Sequence, residues 1–341
     1  MLRLAVRCVL ACVIFVVFVS QMYASELIDK ALVSARFGMN WVGQAEHGGY
    51  YQAVASGFYE ECGLRVEIVP GGVRTAGRKK LIMGELDFYV GGNMVVPFMT
   101  IQQGMSTKVV AAHFQKDPQV IMAHPGTFGT FESLKEARIF LNDGIFNSFF
   151  KLMIAEFGFS PAKRRPYNLI SFMNDKKSVH QGIISSEPFA IERQAGFYPK
   201  LYLLSDFGLT SYASLIETTE SMILQKPSVV QCFVDASAKG WYVYLYGDNK
   251  VANEAIKKDN PAVDDTDLQY AVAVMREYGV VDSGDALVYG IGAMTDQRME
   301  SFFNKLVDIG IVDASVDYKE AYTLKFVNKG VGLGLKKSLR E

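Results

Sequence analysis

The chain has 341 residues, half of them apolar and 12% aromatic, which is ample for buried cores and too long for one ordinary compact domain. Its formal net charge of −1 supplies neither a basic field for nucleic acid nor an acidic tail. Small-ligand binding and small-molecule catalysis are the classes left to weigh.

The first 24 residues read as a secretory signal. Arg3 and Arg7 form a positive n-region, Leu10 to Val19 is an unbroken apolar run, and Ser20 to Ser25 offers small and polar residues suited to cleavage after Ala24. The apolar run falls short of the ~20 residues that span a bilayer. Cys12 precedes most of that run rather than following it, which argues against lipid attachment. Losing Arg3 and Arg7 takes the formal charge from −1 to −3.

Beyond the signal, alternating strand and helix patterns begin. Ala35–Trp41 reads as a strand, and Tyr50, Val54 and Phe58 recur every fourth residue on a helix reaching Glu61, with Gly63 as its stop. Leu64, Val66 and Ile68 alternate as a strand ended by Pro70-Gly71-Gly72. A basic helix through Arg78 to Leu81, stopped by Gly84, leads to a buried strand at Asp87–Val90 that Gly91-Gly92-Asn93 caps. Strand, helix, strand, helix, strand is the grammar of a parallel sheet.

The rhythm then restarts. Lys108–Ala112 and Val120–Ala123 read as strands leaving the first lobe, Ala137–Leu141 as a strand, Phe146–Phe157 as an amphipathic helix, Tyr167–Ile170 as a strand, and Val179–Ile184 as another. Lys200–Leu204 and Tyr212–Ile216 carry the chain back, and helices follow at Val229–Tyr246, Thr266–Tyr278 and Asp296–Ile309. The expected plan is lobe 1 over 25–113, an inserted lobe 2 over 114–211, and a return with C-terminal helices over 212–341. Gly330-Val331-Gly332-Leu333-Gly334 lacks a strand-to-helix context and reads as tail, and Lys336-Lys337 as a solvated terminus.

In such a fold ligands bind beyond the carboxyl ends of the strands. The first strand is followed by Asn40-Trp41 and by His47-Gly48-Gly49-Tyr50, the third by Gly91-Gly92-Asn93. The second lobe offers Asn142-Asp143-Gly144 and Ser185-Ser186-Glu187, and Tyr212 stands where the chain re-enters lobe 1. The candidate ligand-binding set is therefore Asn40, Trp41, His47, Tyr50, Gly92, Asn93, Glu187 and Tyr212. It suits a flat polar ligand stacked on an aromatic face, with Glu187 accepting hydrogen bonds from an amine edge. Each member has a plainer reading: Trp41 and Tyr50 as core, His47 as a surface residue at a helix start, Glu187 as a helix N-terminal charge, Asn93 as a loop-bonding side chain. These strand ends carry no arginine, which speaks against a sulfonate or nitrate.

Chemistry beyond binding finds little support. The four histidines (His47, His113, His124 and His180) are not at metal-ligand spacing, and no C-x-x-C, H-E-x-x-H, P-loop or nucleophile elbow occurs, so neither metal nor cofactor is expected. Cys62 and Cys232, each in a segment with its own packing role, are expected to stay unpaired.

The run Asn40-Trp41 through His47-Gly48-Gly49-Tyr50-Tyr51, Gly57-Phe58-Tyr59-Glu60-Glu61, Gly84-Glu85-Leu86-Asp87-Phe88, Gln181-Gly182, Ser186-Glu187-Pro188-Phe189 and Lys239-Gly240-Trp241 resembles the thiamine-pyrimidine-precursor-binding family of ABC importer proteins. These are relatives of the yeast thiamin pyrimidine synthase. The resemblance implies a two-lobe, type II periplasmic-binding-protein α/β fold, each lobe a mostly parallel sheet flanked by helices, with the ligand cleft between the lobes. It implies an extracytoplasmic monomer that closes about hinges near Phe114–Pro118 and Gly208–Tyr212 and delivers a small solute to an ABC permease. It also implies Trp41, Tyr50 and Glu187 as pyrimidine contacts and Asn93 as part of the lobe 1 wall. Riboflavin, sulfonate and nitrate binders are similar in fold, and a periplasmic sensor input is a further alternative. A synthase-like enzyme fits less well. Asn93-Met94-Val95 stands in the segment of the synthase's consumed histidine, and no cysteine cluster accompanies it.

Overall fold

A computed structural model describes residues 32–72, 75–104, 107–142 and 149–340. The signal sequence and its cleavage point, Asp143-Gly144, and the first turn expected of the Phe146–Phe157 helix lie outside the described residues. Among the described residues there are ten strands: β1 (Val33–Gly38), β2 (Leu64–Val69), β3 (Phe88–Asn93), β4 (Thr107–Phe114), β5 (Gln119–Ala123), β6 (Arg138–Leu141), β7 (Arg164–Pro166), β8 (Ser178–Ile183), β9 (Lys200–Leu203) and β10 (Ala213–Thr219).

They form two five-stranded sheets, ordered β2-β1-β3-β10-β4 and β7-β6-β8-β5-β9. In the first, β1 pairs in parallel with β2 and β3, while β10 runs antiparallel to both β3 and β4. In the second, β6 pairs in parallel with β7 and β8, while β5 runs antiparallel to β8 and β9. Four strands of each sheet therefore point one way. The exception in each is the strand by which the chain arrives from the other lobe.

That topology places the site. The register sets Asn93 and Phe114 opposite Ala213, so β3 and β4 end where β10 begins. In the second sheet Gln119 lies opposite Ile183, so β8 ends where β5 begins. The carboxyl ends of both sheets thus face the two crossovers, Gln115–Pro118 and Leu204–Tyr212, which is where sheets of this kind take a ligand.

Several elements depart from the sequence reading, each for a local reason. The helix expected over Tyr50–Glu61 is two helices, Gly48–Ala55 and Phe58–Glu61, broken at Gly57, whose φ of 70° suits glycine. Its buried face is Tyr50, Tyr51, Gln52 and Ala53, and Val54 is 44% exposed. Gly91-Gly92-Asn93 lies within β3 rather than capping it. Tyr167–Ile170 is not a strand: β7 ends at Pro166, and Asn168 caps the Leu169–Asn174 helix by accepting from the Ser171 N–H at 2.8 Å. A Lys250–Asp259 helix packs on the Gly48–Ala55 helix. The C-terminal stretch is a Leu333–Arg340 helix rather than a solvated tail, and Lys336 is paired with Asp282 at 2.7 Å.

The expectation of unpaired cysteines is overturned. Cys62 and Cys232 form a disulfide with Cα atoms 5.7 Å apart. Their segments do have independent packing, but the Phe58–Glu61 helix lies against the Pro227–Tyr246 helix, which brings the two thiols together. Among the described residues no helix is long and apolar enough to cross a membrane.

Candidate ligand-binding site

The lobe 1 side of the cleft is the turn that follows β1. Gly71 has its amide on the Trp41 carbonyl at 2.9 Å, and a Cβ at Gly71 would come within 2.2 Å of the Met39 carbonyl, so only glycine permits this approach. Asn260 Nδ2 holds the Gly43 carbonyl from the other side at 2.9 Å. On the turn so fixed, Trp41 stands 43% exposed, while the short Ala45–His47 helix buries His47 and leaves Glu46 partly buried. Asn40 Oδ1 lies 2.9 Å from His47 Nε2. Burial holds the His47 imidazolium off, lowering its pKa to about 4, so the neutral ring donates through Nε2 and leaves Nδ1 a bare acceptor.

The lobe 2 side is the turn after β8 and the Glu187–Ala195 helix it starts. Glu187 occupies the first position of that helix, with Pro188 behind it. Its Oε2 accepts from the Ile183 N–H at 2.8 Å, and its Oε1 accepts from the Tyr167 hydroxyl at 3.3 Å. Tyr167 in turn packs edge-on against His180, with ring centroids 4.5 Å apart.

The two sides meet. Ser185 Oγ donates to Glu46 Oε1 across the cleft. Burial raises the Glu187 carboxyl above the ordinary range, and the charge of Glu46 raises it further. Glu46 is raised as well, by burial, with the Ser185 hydrogen bond opposing. One carboxylate from each lobe therefore converges on the same space.

The other sequence-derived residues lie elsewhere. Tyr50 is in the core: it is fully buried, with its hydroxyl 3.0 Å from both His113 Nδ1 and Ser214 Oγ and its ring against Phe37, His113 and Trp241. Asn93 is buried at the outgoing crossover, where Nδ2 donates to Asp117 Oδ2 at 2.8 Å. Tyr212 is buried at the returning crossover, donating to Asp285 and accepting from the Thr295 N–H at 3.0 Å. Gly92 is exposed at the end of β3, with open space where a side chain would stand. The structure thus sets Asn40, Trp41 and His47 on the lobe 1 turn and Glu187 on the lobe 2 turn, with Glu46 and Ser185 linking the two, and assigns Asn93 and Tyr212 to the crossovers. A surface depression of about 490 Å³ lined by Glu156, Ser301, Asn304 and Lys305 contains none of them.

The NMT1/THI5-like family profile matches residues 44–247, from the turn that carries Glu46 to the end of the long Pro227–Tyr246 helix. The chain belongs to the NMT1/THI5-like family. This NMT1/THI5-like protein is 25% identical over 318 residues to the riboflavin-binding protein RibY of Chloroflexus aurantiacus, covering 89% of this chain and 88% of that one. Its fold is that of a putative sulfonate-binding protein SsuA from Methylobacillus flagellatus KT, with a TM-score of 0.61 at 16% identity over 91% of this chain and 96% of the other. The desulfurization enzyme DSZB shares the fold too, with a TM-score of 0.55 at 13% identity over 90% and 99% of the chains. The two-lobe, type II periplasmic-binding-protein architecture is common ground.

Sequence reasoning passed over Glu46 and Tyr167. Glu46 sits one residue before the aromatic and glycine run that drew attention, and its signal was its place on the loop after β1. Tyr167 was hidden by a strand assignment that Pro166 and the Asn168 cap displace.

Proposed function

We propose that the chain is the extracytoplasmic solute-binding component of an ABC importer, and that it captures a small aminopyrimidine-type ligand, a thiamine precursor, between its two lobes. The carrying observation is the approach of Glu46 and Glu187, one from each lobe and linked by Ser185, with Trp41 and His47 on the same turn as Glu46. Two facing carboxylates offer acceptors to an amine or protonated ring, and they repel sulfonate or nitrate. Trp41 supplies an exposed aromatic face for stacking. Family membership supports the importer role. The closed lobes would present their tips to the permease, and the protein would act as a monomer after export and cleavage following Ala24. Catalysis is not part of this reading.

A second reading, riboflavin as the ligand, is favoured by the similarity to RibY over most of the chain. A thermal-shift screen against an aminopyrimidine thiamine precursor, thiamine, riboflavin, taurine and nitrate separates the two. A ligand at ~100 times its dissociation constant adds about 2.7 kcal/mol of stability. A shift with the aminopyrimidine, lost in Glu187→Gln and Trp41→Ala, supports the first reading. A shift with riboflavin alone replaces it with the second, and a shift with an anion alone removes both.

A further inference from the structure

The segment after the Asp265–Glu277 helix forms a saddle under both crossovers. The Val280 carbonyl accepts from the amides of Gln115 and Lys116 at 2.7 and 3.1 Å, and Gln115 Nε2 donates to the Ala293 carbonyl at 2.9 Å. On this saddle lies Arg298, in the first turn of the Asp296–Asp308 helix. Its Nε donates to the Thr210 carbonyl at 3.0 Å. One terminal nitrogen donates to the Gln115 carbonyl and stands 3.5 Å from the Ser211 carbonyl. The guanidinium lies 4.0 Å from the Tyr212 ring centroid, and Asp285 is 3.6 Å away. Gln115 belongs to the outgoing crossover, Thr210 and Ser211 to the returning one.

We propose that Arg298 is a hinge clamp, a positioning residue that sets the balance between closed and separated lobes by gripping both crossovers at once. Lobe rotation has to be absorbed by backbone changes in these two short segments. A guanidinium is a rigid fork of donors, so it reaches carbonyls on both segments in only a narrow range of their relative placements. In the arrangement described, the lobes also touch through Ser185 and Glu46 and through Arg193, which pairs with Asp264 at 3.1 Å and Asp267 at 2.8 Å. The grip of Arg298 therefore belongs to the closed state, and only contacts that differ between two states shift their populations. A lysine at this position keeps the charge over Tyr212 but has no fork. The clamp does not depend on which ligand is bound.

The test needs no ligand. Nitroxide labels at Met83→Cys and Ile170→Cys, 63% and 69% exposed on opposite lobes, report the interlobe distance by double electron–electron resonance in the disulfide-intact protein. Arg298→Met is expected to raise the ratio of separated to closed populations about tenfold, the worth of one hydrogen bond to a charged group. Arg298→Lys should fall between Arg298→Met and the parent, with circular dichroism unchanged in all three. Distance distributions identical to the parent in both variants would overturn the proposal, even if the melting temperature fell. Should Arg298→Met fail to fold, Arg298→Lys decides alone: a widened distribution supports the clamp and an unchanged one ends it.

Discussion

Glu46 and Glu187 are two carboxyls that burial disfavours in their charged form. Both carboxyls are raised in the fold, chiefly by burial, so the folded chain keeps these protons to higher pH than the unfolded chain does. Stability from this pair is therefore greatest below the ordinary carboxylate range near 4.5 and declines as pH rises above it. Glu187→Gln should raise the melting temperature of the ligand-free protein at pH 7 to 8, and the gain should vanish near pH 4. An equal gain at both pH values would mean that charge is not its source. Loss of ligand binding in the same variant is the expected trade of stability against function. The buried histidines act at the other end of the scale. Burial lowers His47 and His180 to about 4 and His113 to about 3. Unfolding frees them to take up protons below their ordinary value near 6.5, so their contribution is intact above that value and is lost as pH falls toward 4. Because the raised carboxyls act the opposite way over the same range, the histidine share is read by difference: relative to the parent, His113→Gln should gain stability progressively as pH falls from 6.5 to 4, in a paired melting series.

Between elements, the closest fit is the one that anchors the lobe 1 turn. The Gly48–Ala55 helix crosses the Pro227–Tyr246 helix so tightly that a Cβ on Gly240 would lie 2.1 Å from the Gly49 carbonyl, and a Cβ on Gly49 would lie 2.2 Å from the Trp241 ring. The glycines of His47-Gly48-Gly49 thus serve helix packing rather than the approach of a ligand, as their place after β1 had suggested. Gly240→Ala should cost about 1–3 kcal/mol through overpacking, measured by urea unfolding. Gly92→Ala, with open space around it, should stay within about 0.5 kcal/mol of the parent. Comparable losses at both sites would remove the packing argument. Most strands were legible because alternation is a local signal, whereas the fourfold spacing of Tyr50, Val54 and Phe58 misled, since Gly57 breaks the helix and Val54 faces out. What a residue such as Gly49 or Tyr50 faces was not legible, since a helix stripe looks alike whether it meets Trp241 or a solute. What Glu46 meets was hidden for a related reason: its partner Ser185 is 139 positions away.

At the scale of the molecule, the alternation of elements foretold two lobes, yet it said nothing of what ties the two stretches of the first lobe together. The first lobe is assembled from two stretches separated by the whole second sheet, and the Cys62–Cys232 disulfide joins one stretch to the other across 170 positions. Sequence could not show this, because pairing depends on where the Phe58–Glu61 helix docks. A bridge closing so long a loop removes much freedom from the unfolded chain, and by the chain-entropy argument contributes about 2–5 kcal/mol. Cys232→Ala with Cys62→Ala should therefore lower the melting temperature by several degrees, and reduction of the parent by dithiothreitol should reproduce that loss. Because neither cysteine lies at the cleft, ligand affinity measured well below the melting transition should be unchanged. Weakened binding with unaltered stability would instead mean that the bridge acts on the relation between the lobes, and the entropic account of it would fall.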